Sequence, residues 1–165
     1  MFRRLLIAAV ALSAVTGGAV SGTTMAGAAT PSACVLNGTA HINPGLAVAA
    51  RSFSYTFTGQ FSNCKGSDPT IKSGTVTASG SGTGGCSKSN TNGSATITWS
   101  NGRTTSLTFK TTGAAAALLV QGKATGGEFA GLNAKALLVF QATPTQCNTA
   151  AGVTTAKFTG PSEIG

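Results

Sequence analysis

Charge is scarce in this chain, and acid is scarcer still. Only 8% of its 165 residues are charged, Asp and Glu together number three, and there is one histidine. General acid–base catalysis needs positioned titratable groups, and His41, Asp68, Glu128 and Glu163 are the whole supply. A Ser-His-Asp arrangement would have to use His41, yet no serine carries the flanking glycines of the strained Gly-x-Ser-x-Gly elbow. Glycoside hydrolysis needs two carboxylates roughly 5–10 Å apart, whereas Asp68 precedes Pro69 in a turn and Glu163 reads as part of the terminal tail. No catalytic residue is assigned, and the reading is of a protein that is not an enzyme. Close cysteine pairs are also missing. Cys34, Cys64, Cys86 and Cys147 have no Cys-x-x-Cys spacing and no histidines nearby, which argues against zinc or any other metal or cofactor. Basic runs are missing too, since Arg51, Lys65, Lys72, Lys88, Arg103, Lys110, Lys123, Lys135 and Lys157 each stand alone. Such scatter cannot track a phosphate backbone, so nucleic acid is not an expected partner. Weak attraction to anionic wall polymers or head groups is compatible with it.

Long hydrophobic runs are absent beyond the N-terminus. Residues 1–29 start with Met1-Phe2-Arg3-Arg4, continue with an apolar run from Leu5 to Val15 and end in small residues around Ala26-Gly27-Ala28-Ala29. A basic start, a short apolar stretch and an Ala-x-Ala-like site are the parts of a secretory signal peptide. The run falls short of the roughly 20 apolar residues a transmembrane helix requires. Residues 30–165 then form one secreted domain with no transmembrane span, large enough for a real core. Nine Lys and Arg against three Asp and Glu leave this mature part basic. An even number of cysteines in an exported chain reads as disulfides.

What the sequence does contain is Thr, Ser, Gly, Ala and Val in short alternating stretches, the composition of strands and turns. Phe53-Ser54-Tyr55-Thr56-Phe57-Thr58-Gly59-Gln60-Phe61 puts an aromatic at every second position except Gly59, which predicts a strand with one buried face. Residues 94–109 predict a hairpin. A two-residue turn on Asn101-Gly102 would send Ile97 and Leu107 to opposite faces. A three-residue loop, Ser100-Asn101-Gly102 with Gly102 left-handed, gathers Ala95, Ile97, Trp99, Leu107 and Phe109 on one face. Further strands are predicted near 34–42, 73–80, 115–124, 134–143 and 152–159. The apolar runs Ala114 to Val120 and Ala134 to Phe140 predict a hairpin pair whose tip spans Gly126 to Asn133. The expected fold is therefore all-β and antiparallel, with about eight strands, either an up-and-down β-barrel or a two-sheet β-sandwich. Alternating strand direction puts Cys34 and Cys64 at one end of the sheet and Cys86 and Cys147 at the other. That predicts the pairs Cys34–Cys64 and Cys86–Cys147.

The segment Gly80-Ser81-Gly82-Thr83-Gly84-Gly85 matches Gly-x-Gly-x-x-Gly in form. It lacks the following helix that a dinucleotide site needs, and is read as a flexible loop between strands. Asn37-Gly38-Thr39 and Asn92-Gly93-Ser94 match the glycosylation sequon and are read as incidental in a chain of bacterial character. The aromatics are read first as core. Small barrels can enclose one small molecule, and Trp99, Tyr55 and Phe129 are the candidate ligand contacts.

The Thr/Gly-rich strands, the stretch Gly-Ser-Ala-Thr-Ile-Thr-Trp-Ser-Asn-Gly at 93–102, Gly-Glu-Phe-Ala-Gly at 127–131 and the four cysteines together resemble uncharacterised small secreted proteins of actinobacteria. That resemblance covers most of the mature part and implies no activity, substrate or catalytic residue. The expected function is a secreted, non-enzymatic binding or surface-associated module for an extracellular ligand or envelope polymer. An extracellular structural or assembly protein of the cell surface, and a disulfide-stabilised inhibitor-like factor, are the alternatives.

Overall fold

Alternation along each strand decides which side chains enter the interior. In the computed structural model, which describes residues 32–141 and 144–165, eight strands follow one another: β1 (Ser32–Leu46), β2 (Arg51–Gly66), β3 (Gly74–Gly84), β4 (Lys88–Trp99), β5 (Thr104–Ala114), β6 (Ala117–Gly127), β7 (Asn133–Gln141) and β8 (Val153–Ile164). The residues read as a signal peptide lie outside the described ones. Each strand pairs antiparallel with its neighbour in sequence, and β8 pairs with β1, so the sheet closes into an up-and-down barrel. Closure removes the exposed sheet edges that a sandwich would retain. Among the described residues no helix is long and apolar enough to cross a membrane.

The predicted hairpin has the expected register. Ala95 pairs with Leu107 and Ile97 with Thr105, the Trp99 N–H donates to the Arg103 carbonyl, and Gly102 has a φ of 81°. A left-handed residue there lets the loop follow the right-handed twist of the strands, and glycine adopts it without strain. Both disulfides join the predicted partners. Cys34–Cys64 cross-links β1 and β2 near one end of the barrel, called here the floor. Cys86–Cys147 joins the β3–β4 turn to a short 3-10 turn, Pro144–Asn148, at the opposite end, the mouth.

Three sequence expectations are corrected. Gly80 to Gly85 is not a flexible loop, because β3 continues to Gly84 and β4 starts at Lys88. The period of two is intact there, with Ser79, Ser81 and Thr83 outward and the glycines inward, where the Tyr55 hydroxyl crowds Gly80 and the backbone and small side chains of β4 crowd Gly82 and Gly84. The strand expected from 115 starts at Ala117, since Ala115 and Ala116 form the two-residue turn and Ala115 has a φ of 52°. Glu163 is not in a tail: β8 extends to Ile164, and Glu163 sits between Ala33 of β1 and Lys135 of β7.

Pro161 explains why the last residues of β8, beyond the strand expected near 152–159, are hard to see in the sequence. Proline lacks an N–H, is unusual in an interior strand, and here it pairs with Val35 of β1. The β7–β8 ladder is interrupted beside it, between Ala136 opposite Ser162 and Val139 opposite Thr159.

The core falls into two groups. One fills the floor end with Phe61, Ile71, Ile97, Trp99, Leu107, Phe129 and Leu138; the other packs Ile42, Leu46, Phe53, Val153 and Ala156 beneath the mouth on the β1, β2 and β8 side. Between them the barrel is hollow.

Candidate functional site

Small inward side chains in mid-barrel leave the hollow. Ala78 pairs across β3 and β4 with Ala95, and Ala134 and Ala136 occupy the inward positions of β7. Eight strands give an interior just wide enough for side chains to fill or for one small ligand, so these four alanines leave space. The cavity has a volume of about 160 Å³ and is walled mainly by apolar side chains, among them Phe57, Val76, Phe109, Leu118, Val120 and Phe158. An apolar cavity of about 150 Å³ is large enough to hold a benzene-sized molecule.

Trp99 forms the floor. It is 3% exposed, and its indole N–H donates to Thr105 Oγ1 at 2.8 Å, which satisfies the one polar group that burial would otherwise penalise. Phe61 and Phe129 pack on it, each with ring centroids 5.4 Å away. Toward the mouth, by contrast, Tyr55, Phe57, Ser89 and Leu118 line the cavity and are only partly buried.

Within this apolar wall lies one chain of hydroxyls. Tyr55 on β2 stands opposite Gly80 on β3, which in turn pairs with Gly93 on β4. A Cβ at either glycine would lie 2.6 Å from the Tyr55 hydroxyl, so the phenol lies across the two strands only because both lack side chains. It thereby reaches Thr91 Oγ1 at 3.3 Å, and Thr91 Oγ1 bonds Thr111 Oγ1 at 2.8 Å. These three hydroxyls can donate to or accept from a ligand oxygen, since each rotates to suit its partner.

Burial pushes the Tyr55 hydroxyl above its ordinary pKa, and its hydrogen bond to Thr91 opposes this only in part. A phenol whose folded pKa is raised favours folding below the unfolded value near 10. That contribution is lost as pH rises through the folded value, because the unfolded chain ionises first. Tyr55 is the only tyrosine, so phenolate absorbance reports it directly. We expect its titration in the folded protein to lie above that in denaturant. We also expect Tyr55→Phe to lose less stability than the native chain as pH rises above about 10, the unfolded value.

The residues singled out from the sequence are thus placed differently. Tyr55 lines the cavity, Trp99 closes it, and Phe129 packs edge-on against Trp99 behind the lining. Thr91, Thr111, Gly80, Gly93 and the alanines are residues the sequence reading missed; the visible signal was glycine alternating with Ser or Thr from 79 to 84. His41 is exposed on the outer face of β1. Asp68 lies in the β2–β3 loop, where both the N–H and the hydroxyl of Thr70 donate to it and hold its carboxyl below the usual range. Glu128 pairs with Arg103 at 2.7 Å. Among the described residues no three His, Cys, Asp or Glu gather as metal ligands.

No protein-family model matches this chain, and no curated protein or solved structure matches it. The site therefore stands on its own geometry.

Proposed function

We propose that this protein is a secreted, non-enzymatic carrier or sensor that takes a small apolar molecule bearing one oxygen function into the barrel. The observation that carries this reading is the apolar cavity crossed by the Tyr55–Thr91–Thr111 hydroxyl chain. Pockets for small ligands combine apolar walls with a few placed polar groups that fix orientation. A volume of 160 Å³ limits the enclosed part of the ligand to about one aromatic ring or a chain of similar bulk. Export is supported by the N-terminal sequence pattern and by the two cross-links, since disulfides persist in oxidising compartments.

Trp99, the only tryptophan, supplies the readout because it forms the cavity floor. Titration with phenol, p-cresol and toluene is expected to change its fluorescence with one-to-one stoichiometry. Ala95→Phe is expected to abolish the response by filling the hollow while leaving the circular dichroism spectrum unchanged. Tyr55→Phe with Thr111→Val is expected to weaken p-cresol relative to toluene by roughly tenfold, the equivalent of one hydrogen bond of about 1–1.5 kcal/mol. No fluorescence change with any of the three probes, or an undiminished change in Ala95→Phe, would rule the reading out.

A further inference from the structure

The outer wall of the barrel is not uniform. On β2 to β5 the outward positions are almost all Ser, Thr or Asn: Thr58, Thr77, Thr96 and Ser106, for example, form one lateral row across the four strands. These residues suit a solvated, pleated surface. On the opposite side the row differs completely. Leu119 of β6 pairs with Leu137 of β7, Pro161 of β8 follows in the same register, and Val35 of β1 pairs with Pro161. Val139 extends the row toward the mouth. Leu137, Val139, Leu119 and Val35 are 54, 50, 41 and 37% exposed. Four strands at about 4.8 Å spacing make this an apolar strip about 15 Å long. A run apolar on both faces would suit a strand buried on both sides, but a closed barrel has nothing outside to cover one.

Lysines border the strip. In the neighbouring lateral row toward the floor, Lys110, Gln121, Lys135, Glu163, Ala33 and Lys65 follow one another across β5, β6, β7, β8, β1 and β2. Lys157 lies on the mouth side, opposite Gln141. On these strands, apolar side chains beside Lys123, Lys135 and Lys157 and one carboxylate, Glu163, match the interface of an anionic bilayer, where each basic residue near the surface adds attraction. A second copy matches less well. Two such faces would bring lysine rows together, and two convex walls meet along a narrow line, whereas lipid deforms around one.

We propose that the outer wall of β6, β7, β8 and β1 docks on an anionic membrane surface, its apolar strip entering the interface and Lys123, Lys135 and Lys157 meeting the head groups. This inference is independent of what the cavity holds. Flotation with phosphatidylcholine vesicles, with and without phosphatidylglycerol, tests it on the processed protein with both disulfides formed. Binding is expected with phosphatidylglycerol only, and should weaken with salt. The variant Leu119→Thr, Leu137→Thr, Val139→Thr extends the threonine pattern of the other wall and should keep the fold, as checked by its melting curve. It is expected to bind at least tenfold more weakly. Lys135→Gln and Lys157→Gln should each weaken binding about fivefold. Absence of native binding, equal binding by the threonine variant, or a concentration-dependent dimer that the threonine variant abolishes would each overturn the proposal, the last by making this face a contact between copies.

Discussion

Replacing Trp99 with alanine is expected to cost about 3–5 kcal/mol, the range for deleting a large buried aromatic side chain. Three losses combine at this position. The indole fills the floor between Phe61 and Phe129, so its removal joins a new void to a cavity that already exists. Partial collapse cannot recover the contacts, because the strands around the floor are held by closure of the barrel. The Thr105 hydroxyl, fully buried, loses its partner as well, and an unsatisfied buried group adds its own penalty. Thermal unfolding followed by circular dichroism should show a melting temperature lower by roughly 10–20 °C. Trp99→Phe should recover part of this, since it restores bulk but leaves Thr105 unpaired. A melting temperature within a few degrees of the native value in Trp99→Ala would show that the floor does not depend on this residue.

Loss of the Cys86–Cys147 link should have an effect of similar size. The pair closes a loop with a sequence separation of 61, and on the loop-entropy estimate its removal costs about 4 kcal/mol. The Cys34–Cys64 pair, with a separation of 30, is worth about 3.5 kcal/mol on the same estimate. The two differ further in what else restrains their ends. Cys34 and Cys64 lie on hydrogen-bonded neighbours, β1 and β2, which the ladder already holds together. Cys86 and Cys147 belong to two loops that meet over the mouth, one before β4 and one before β8. Denaturant unfolding of Cys86→Ser with Cys147→Ser, against Cys34→Ser with Cys64→Ser, should therefore show the first pair as the costlier loss. The reverse order would mean that the β7–β8 loop is held by other contacts.

Several elements were legible because their signals are local. The hairpin 94–109 declared its register, since only one loop length puts Ile97 and Leu107 on the same face. Strand parity paired the cysteines, because direction alternates in any sequential antiparallel sheet. Strand β2 announced its inward face with four aromatics. Elsewhere the same rules misled. Gly80 to Gly85 resembled a loop because glycine there serves Tyr55, which is 25 residues earlier in the chain and one strand away. Glu163 resembled a tail because Pro161 is a poor strand former, and only pairing with β1 makes that strand worthwhile. Half of the candidate site was visible: Tyr55 and Trp99 stood out by their size, whereas Thr91 and Thr111 are two threonines among many.

Taken alone, the sequence determined an antiparallel all-β chain, its hairpin register, its cross-links and its scarcity of reactive groups, because alternation and strand parity need only near neighbours. The tertiary structure alone decided that the sheet closes, that the interior keeps a cavity and that one outer wall is apolar. Closure depends on β1 meeting β8 across the whole domain. The cavity is a sum of inward volumes over all eight strands, and an outward leucine joins a patch only when its neighbours around the barrel are known.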